Sequence, residues 1–293
     1  MLLLRAGAVY PTMAVSMPAL SSQPVIDAWA QQPTHRLLEQ PWLASLNRWT
    51  RKGDARAEVP ADALLGHLDE AGVRRALVCA WCGPQGWLIS HDEVASLCAS
   101  HPDRFVGVAS ANLFEPMAAV RELRRCVKSR GFKALRVVPW LWGLPPDDRR
   151  YYPLYAECCE LEIPFLTQIG HTGPLLTSEP GRPIPYLEHV LLEFPELVVV
   201  GGHVGFPWMN EVLSLAYKFP TFHVDTSAYA AKRYPRELVD YLREHGARRV
   251  LFGSNYPMLT PRQAMDGLDA LNLAPDVLAA FLHDNAVRVF KLT

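Results

Sequence analysis

Eight short β-branched runs, each followed by a longer amphipathic stretch, constrain this chain more than any other feature. The runs are Pro24–Trp29, Arg75–Ala80, Arg104–Ala109, Phe132–Val138, Ile163–Gln168, Leu197–Gly202, Thr221–Asp225 and Arg249–Gly253. Helical spacing fills the intervals. Leu64, Leu65 and Leu68 share one face of Ala61–Ala71, and Val120, Leu123 and Val127 share one face of Pro116–Lys128. Ile184–Phe194, Met209–Phe219, Arg236–His245 and Asp276–Phe290 follow the same period. Strands alternating with helices form parallel sheets. Eight such units match a (β/α)8 TIM barrel, and 293 residues is an ordinary length for one. An open, doubly wound sheet would want a glycine-rich first βα turn, and here that turn reads Ala30-Gln31-Gln32-Pro33.

The expected organisation is one barrel over residues 24–293, preceded by an N-terminal extension of residues 1–23. A long first βα excursion, about residues 32–60, carries Trp42, Arg48, Trp49 and Arg51. Long loops at strand C-termini shape substrate pockets. The formal net charge of −1 gives no electrostatic case for nucleic acid or an anionic membrane surface. No apolar run approaches the roughly 18 residues that span a bilayer. A small-molecule substrate and a cytoplasmic location are therefore expected. The six cysteines fit a reducing compartment, because a chain this large needs no disulfide framework. Cys79-Ala-Trp-Cys82 reads as two small residues at a strand end, since no second pair accompanies it.

Active sites of this fold sit at the C-terminal ends of the strands. The polar residues there are Asp27, Trp29 and Gln31 on the first run, and Arg136 with Trp140 after the fourth. The later runs place Gln168 and His171, then His203, Asp225 and Asn255. Two readings stand for Arg136: a cation facing the barrel mouth for a substrate carboxylate, or a surface ion pair. Asp225 reads as a base or as an orienter of its neighbour, and Asp27 as a structural strand residue. Asn255 reads as a mouth residue, with a turn before Tyr256-Pro257 as the alternative. The remaining histidines read as surface or satisfied core residues, and the Trp-rich excursion as lid packing.

Three segments carry a family resemblance. Gly201–Trp208 (GGHVGFPW) and Val250–Pro257 (VLFGSNYP) resemble the strand-six and strand-eight signatures of the amidohydrolase-2 branch, which holds aminocarboxymuconate-semialdehyde and hydroxybenzoate decarboxylases. Asn285–Phe290 resembles its closing helix. The resemblance implies a metal held by an H-x-H on strand one, a histidine on strand five and an aspartate on strand eight, with a strand-six histidine as a further ligand or the acid–base. Only His171 and His203 match. Trp29 and Gln31 stand at the H-x-H positions, and Asn255 at the aspartate. Trp has no lone pair for a metal, and amide oxygens are neutral, weak ligands. The expectation is a degenerate metal site with no tightly bound cofactor. A divalent metal, Zn or Mn, on rearranged ligands is the alternative, with His171 and His203 as weak candidate ligands.

The expected function is a small-molecule lyase or hydrolase. It would decarboxylate an aromatic or unsaturated acid, or open a reactive ester or lactone. His171 and His203 would form a coupled acid–base pair assisted by Asn255, and Trp29, Gln31, Arg136, Trp140 and Asp225 would contact the substrate. A metal-dependent amidohydrolase and a non-catalytic binding barrel are the alternatives. The resemblance further implies a homodimer.

Overall fold

The computed structural model describes residues 24–49 and 59–293. Residues 1–23, Thr50 and Arg51 lie outside the described residues, so the expectations on the N-terminal extension and on Arg51 do too. Eight parallel strands form one sheet in the order β1 (Val25–Ala30), β2 (Val73–Cys79), β5 (Phe105–Ala109), β6 (Ala134–Arg136), β7 (Phe165–Gln168), β8 (Val199–Gly202), β9 (Phe222–Asp225) and β10 (Val250–Leu251). A two-stranded antiparallel hairpin, β3 (Trp81–Gly83) and β4 (Gly86–Ile89), follows β2. All eight sequence runs become sheet strands, trimmed where flanking residues lie beyond the pairing. The hairpin was not expected. Its turn, Gly83-Pro84-Gln85-Gly86, is a turn signal in its own right.

The sheet curls until its edges meet. Ala28 N–H donates to Phe252 O at 2.9 Å, Asn255 N–H to Trp29 O at 2.7 Å and Gln31 N–H to Tyr256 O at 3.1 Å. Ala30 and Tyr256 complete the seam as a parallel bridge. Inside, Ile26, Leu77, Val108, Ala134, Leu166, Val200 and Leu251 form one apolar cluster, closed by Val289 and Phe290 of the last helix. Alternate residues face outward. Phe105, Leu135, Phe165 and Phe222 pack there in a larger cluster with Leu64, Leu68, Leu123 and Leu238 of the helices. The period-2 alternation of each strand thus divides two cores, which is the filled interior of this architecture.

The helices follow the sequence period with ends shifted by a residue or two: Ala61–Glu70, Pro116–Arg130, Tyr186–Glu193, Met209–Lys218 and Arg236–Glu244. A π-helical turn, Ala280–Asp284, interrupts the closing segment between Pro275–Ala279 and Asn285–Val289. Phe252 N–H donates to Phe281 O at 3.2 Å, and the Asn285 amide donates to Ala247 O and Val250 O, each at 2.8 Å. The last helix is thereby fastened to the last strand. No helix among the described residues is long and apolar enough to cross a membrane.

Candidate active site

The C-terminal ends of β1, β6, β8, β9 and β10 converge on His203. The chain leaves β8 in the left-handed region, with φ of 72° at His203 and 52° at Val204. That conformation is costly for a β-branched residue and persists only where surroundings enforce it. Here it turns the imidazole back over the barrel. His203 Nδ1 is 2.7 Å from Ser227 Oγ, and its Nε2 has no hydrogen bond among the described residues. Burial, with the charge of Arg136 adding to it, pushes the imidazole down to about 3. The free protein therefore holds His203 neutral at physiological pH.

Ser227 is positioned in turn by Asp225, whose Oδ1 accepts the Ser227 N–H at 2.9 Å. Its Oδ2 is buried without a partner. It lies where a β-carbon on Gly253 would approach to 2.4 Å, so only glycine fits beside it. Burial raises the Asp225 carboxyl to about 7. Asp27 is also buried and raised, to about 6. Its oxygens accept from Trp29 N, Ser254 N and Ser254 Oγ at 3.1, 2.9 and 2.5 Å. Asp27 therefore ties β1 to the loop after β10, a structural role.

Arg136 is 1% exposed, so the surface ion-pair reading does not hold. Its Nη1 donates to Gln31 Oε1 at 2.9 Å and its Nη2 to Ala80 O at 3.1 Å, while its Nε has no partner. The guanidinium carbon lies 4.6 Å from the Trp81 ring centroid and 5.5 Å from that of Trp29. Gln31 Nε2 reaches Asn255 Oδ1 at 3.0 Å and also donates to Tyr256 O. Asn255 adopts φ of 60°, which its residue type tolerates. Trp29 stands 5.3 Å from the His203 ring. Four expected site residues, Trp29, Gln31, His203 and Asn255, are thus brought together with Arg136.

A tryptophan wall stands beside this cluster. Trp42, Trp81 and Trp140 contact one another with centroids 5.2–6.1 Å apart. Trp140 Nε1 donates to Gln168 Oε1 at 2.6 Å. Trp42 comes from the first excursion, which is held to the loop after β7. Ser45 Oγ donates to Gly173 O at 2.5 Å, and Leu175 N–H to Trp42 O at 3.0 Å. Trp81 and Ser227 had no assigned role from the sequence, and Trp42 only that of lid packing. Their signal was position alone, at the ends of barrel strands or in the first excursion.

His171 does not join His203. It is exposed, its Nδ1 lies 3.3 Å from Ser178 Oγ, and the two rings share no hydrogen bond or ring contact among the described residues. The backbones of the two loops do meet, His171 N–H donating to Phe206 O at 2.6 Å. Among the other histidines, His91 is a satisfied core residue. Its Nε2 accepts Ser110 N–H at 3.0 Å and its Nδ1 lies 3.0 Å from Glu122 Oε1. His223 departs from that expectation, since its buried Nδ1 has no partner. His91, Glu122 and Cys126 are spaced to hold a metal ion. Both His91 nitrogens are already engaged, however, and Arg125 holds Glu122 at 2.7 Å. The Cys79 and Cys82 thiols are pushed up by burial, to about 11 and 12, as suits small packing residues rather than thiolates.

The family's metal does not fit the donors in the barrel mouth. Trp29 offers none. Gln31 Oε1 is spent on Arg136, and Asn255 Oδ1 on Gln31. That leaves two imidazoles, one exposed and one buried near a guanidinium, and the unpartnered Asp225 Oδ2; among the described residues these do not form a cluster of three donors spaced to hold an ion. A catalytic metal requires about three protein ligands.

Residues 88–292 match the amidohydrolase-2 family model, described as amidohydrolase. The chain belongs to that family. A gamma-resorcylate decarboxylase from Rhizobium sp. (strain MTP-10005) is 27% identical over 252 residues, covering 69% of this chain and 75% of that protein. An uncharacterised TIM-barrel protein from Bordetella bronchiseptica superposes with a TM-score of 0.80 at 24% identity, over 92% of this chain and 99% of the other. A dihydroxybenzoic acid decarboxylase from Polaromonas sp. JS666, solved with bound manganese and the inhibitor 2-nitroresorcinol, gives 0.70 at 20% identity, over 92% and 97%. At these identities the structural likeness establishes the TIM-barrel fold.

Proposed function

We propose that this chain is a carboxy-lyase that removes the carboxylate of an electron-rich aromatic acid. The observation that carries the reading is His203. It is a neutral imidazole with a free Nε2, held by Ser227 at the mouth of a barrel walled by Trp29, Trp81 and Trp140. Membership of a family that includes decarboxylases supports the reaction class. Aromatic walls suit a planar ring.

In this reading the substrate brings a negative charge beside Arg136, which offsets the guanidinium's repulsion and gives the imidazole, kept neutral mainly by burial, an anionic neighbour that favours taking a proton from solvent. The imidazolium then delivers its Nε2 proton to the ring carbon bearing the carboxylate. The bond from that carbon to the carboxylate breaks. Its electron pair restores the aromatic ring and CO2 leaves. His203 ends neutral, as in the free protein, and takes its next proton from solvent when another anionic substrate binds. Asp225 acts at one remove, by fixing the hydroxyl that orients the imidazole. Trp140 and Gln31 shape the wall, Asn255 fixes Gln31, and His171 serves at the rim. The reaction needs no tightly bound cofactor in this reading. A metal on rearranged ligands would instead have to recruit His171, His203 and a carboxylate from elsewhere. Six free cysteines accord with a reducing, cytoplasmic setting, and the partner is a small molecule, with no nucleic acid involved.

The test is turnover of gamma-resorcylate in D2O. Released CO2 and one deuterium at the vacated ring carbon are expected, both lost in His203→Gln. No CO2 from any hydroxybenzoate offered to the folded chain defeats the reading.

A further inference from the structure

We propose that the buried guanidinium of Arg136 is the resident cation of this barrel, standing among the positions of the family's metal-binding pattern and binding the substrate carboxylate there. This rests on the reading of the site as one for an aromatic carboxylate.

Placement is the first ground. Arg136 touches Trp29 and Gln31, the two positions at the end of β1 where the family pattern places ligands. Gln31 is bonded to Asn255, the position after β10, and Trp29 faces His203, the position after β8. Four of the five pattern positions therefore form one connected set with a cation in contact with it. The replacements are also mutually consistent. Gln31 presents its neutral oxygen to the guanidinium and its N–H to Asn255, an arrangement that a metal-ligating histidine would not support.

Unspent capacity is the second ground. A guanidinium has five N–H donors. Two are used, both on neutral oxygens, and the buried Nε–H is unpartnered. No carboxylate pairs with Arg136 among the described residues, its hydrogen bonds going to Gln31 and Ala80. Trp81 and Trp29 offer it their faces, which compensates part of the charge. Burial lowers the group only to about 10, so it remains a cation at neutral pH. A buried charge left unpaired is costly, and a planar carboxylate is the ligand that fits its polar edge with two parallel hydrogen bonds. The binding energy of such a ligand includes relief of that cost.

Arg136 lies against Trp81, and Trp81 contacts Trp42 and Trp140. Trp140 is held by Gln168, and the Trp42 segment by Gly173 and Leu175 of the loop after β7, so the aromatic wall beside the guanidinium is fixed from two sides.

Benzoate and benzamide test this, because they share a shape, differ in charge and carry no ring hydroxyl to activate decarboxylation. Binding is followed by quenching of tryptophan fluorescence in the full chain after dialysis against a chelator. A hydrogen-bonded charge contributes about 1.5–3 kcal/mol, so benzoate should bind roughly 10–100-fold tighter than benzamide. The preference should disappear in Arg136→Met. It should also disappear in Gln31→Glu, where the new carboxylate occupies the guanidinium. The Gln31→Glu arm decides the matter if Arg136→Met does not fold. The proposal is overturned if metal-stripped wild type shows no preference, if the preference appears only on adding Mn²⁺, or if it survives in either folded variant. Preference for benzoate without turnover of any aromatic acid would defeat the lyase reading alone. Turnover of gamma-resorcylate that is indifferent to both variants would defeat the Arg136 proposal alone.

Discussion

The Trp29 indole occupies the space over Gly202. A β-carbon built on Gly202 would lie 2.6 Å from Trp29 Cζ3. Gly202→Ala should therefore destabilise the fold by about 1–3 kcal/mol, the usual cost of overpacking a filled core. Trp29→Leu should remove most of that increment in the double variant, so urea unfolding should report strong coupling between the two sites. Additive effects would mean the contact is easily relieved.

His203→Gln should lower kcat by roughly 100–10,000-fold, the range for loss of a general acid–base group. Ser227→Ala leaves the imidazole in place without its 2.7 Å partner. About a tenfold fall, with KM little changed, is expected from lost orientation. Equal losses in the two variants would show that the hydroxyl does more than orient the ring.

His171 is exposed and bonded to Ser178. His171→Ala should reduce kcat/KM by no more than about tenfold, well short of a proton-transferring group. A loss matching that of His203→Gln would return His171 to the chemistry.

Asp225 links activity-site packing to pH. Its carboxyl is raised from 3.8 to about 7 by burial, so the folded state binds this proton more tightly than the unfolded chain. Its contribution to stability is thus greatest below pH 3.8 and is lost as pH rises to about 7. His203 and His223, both lowered to about 3, act oppositely up to 6.5. The informative quantity is therefore the stability difference between Asp225→Asn and wild type. It should shift in favour of the variant across pH 4–7 and stay flat above. A difference independent of pH would show that Asp225 is ionised in the native protein.

Restoring the family pattern should be insufficient by itself. Trp29→His, Gln31→His and Asn255→Asp together supply donors, yet leave a buried guanidinium beside them. Stoichiometric Mn²⁺ by elemental analysis is expected only when Arg136→Met is added. Full loading with Arg136 intact would show that the cation can swing clear.

The barrel was legible because each strand announces itself by local β-branched runs and each helix by its period. His203 was legible because it ends a strand in this fold. The burial of Arg136 was not, because a guanidinium at a strand end reads equally as a surface ion pair until Gln31 and Ala80 are seen to accept from it. The separation of His171 from His203 was hidden for the same reason: strand ends fix where a loop begins, but not which way it turns. The Trp81–Ile89 hairpin was written in its Gly-Pro-Gln-Gly turn and went unread because its strands are so short.

The seam of the barrel has a consequence for how the chain acquires its chemistry. The hydrogen bonds that close β1 onto the segment after β10 involve Trp29, Gln31, Asn255 and Tyr256. Along the chain Gln31 and Asn255 are separated by 224 residues. The mouth therefore draws on the first and last strands of this barrel together. Without β10 and the segment after it, Gln31 loses Asn255 and Tyr256, and the oxygen to which Arg136 donates is no longer held in place.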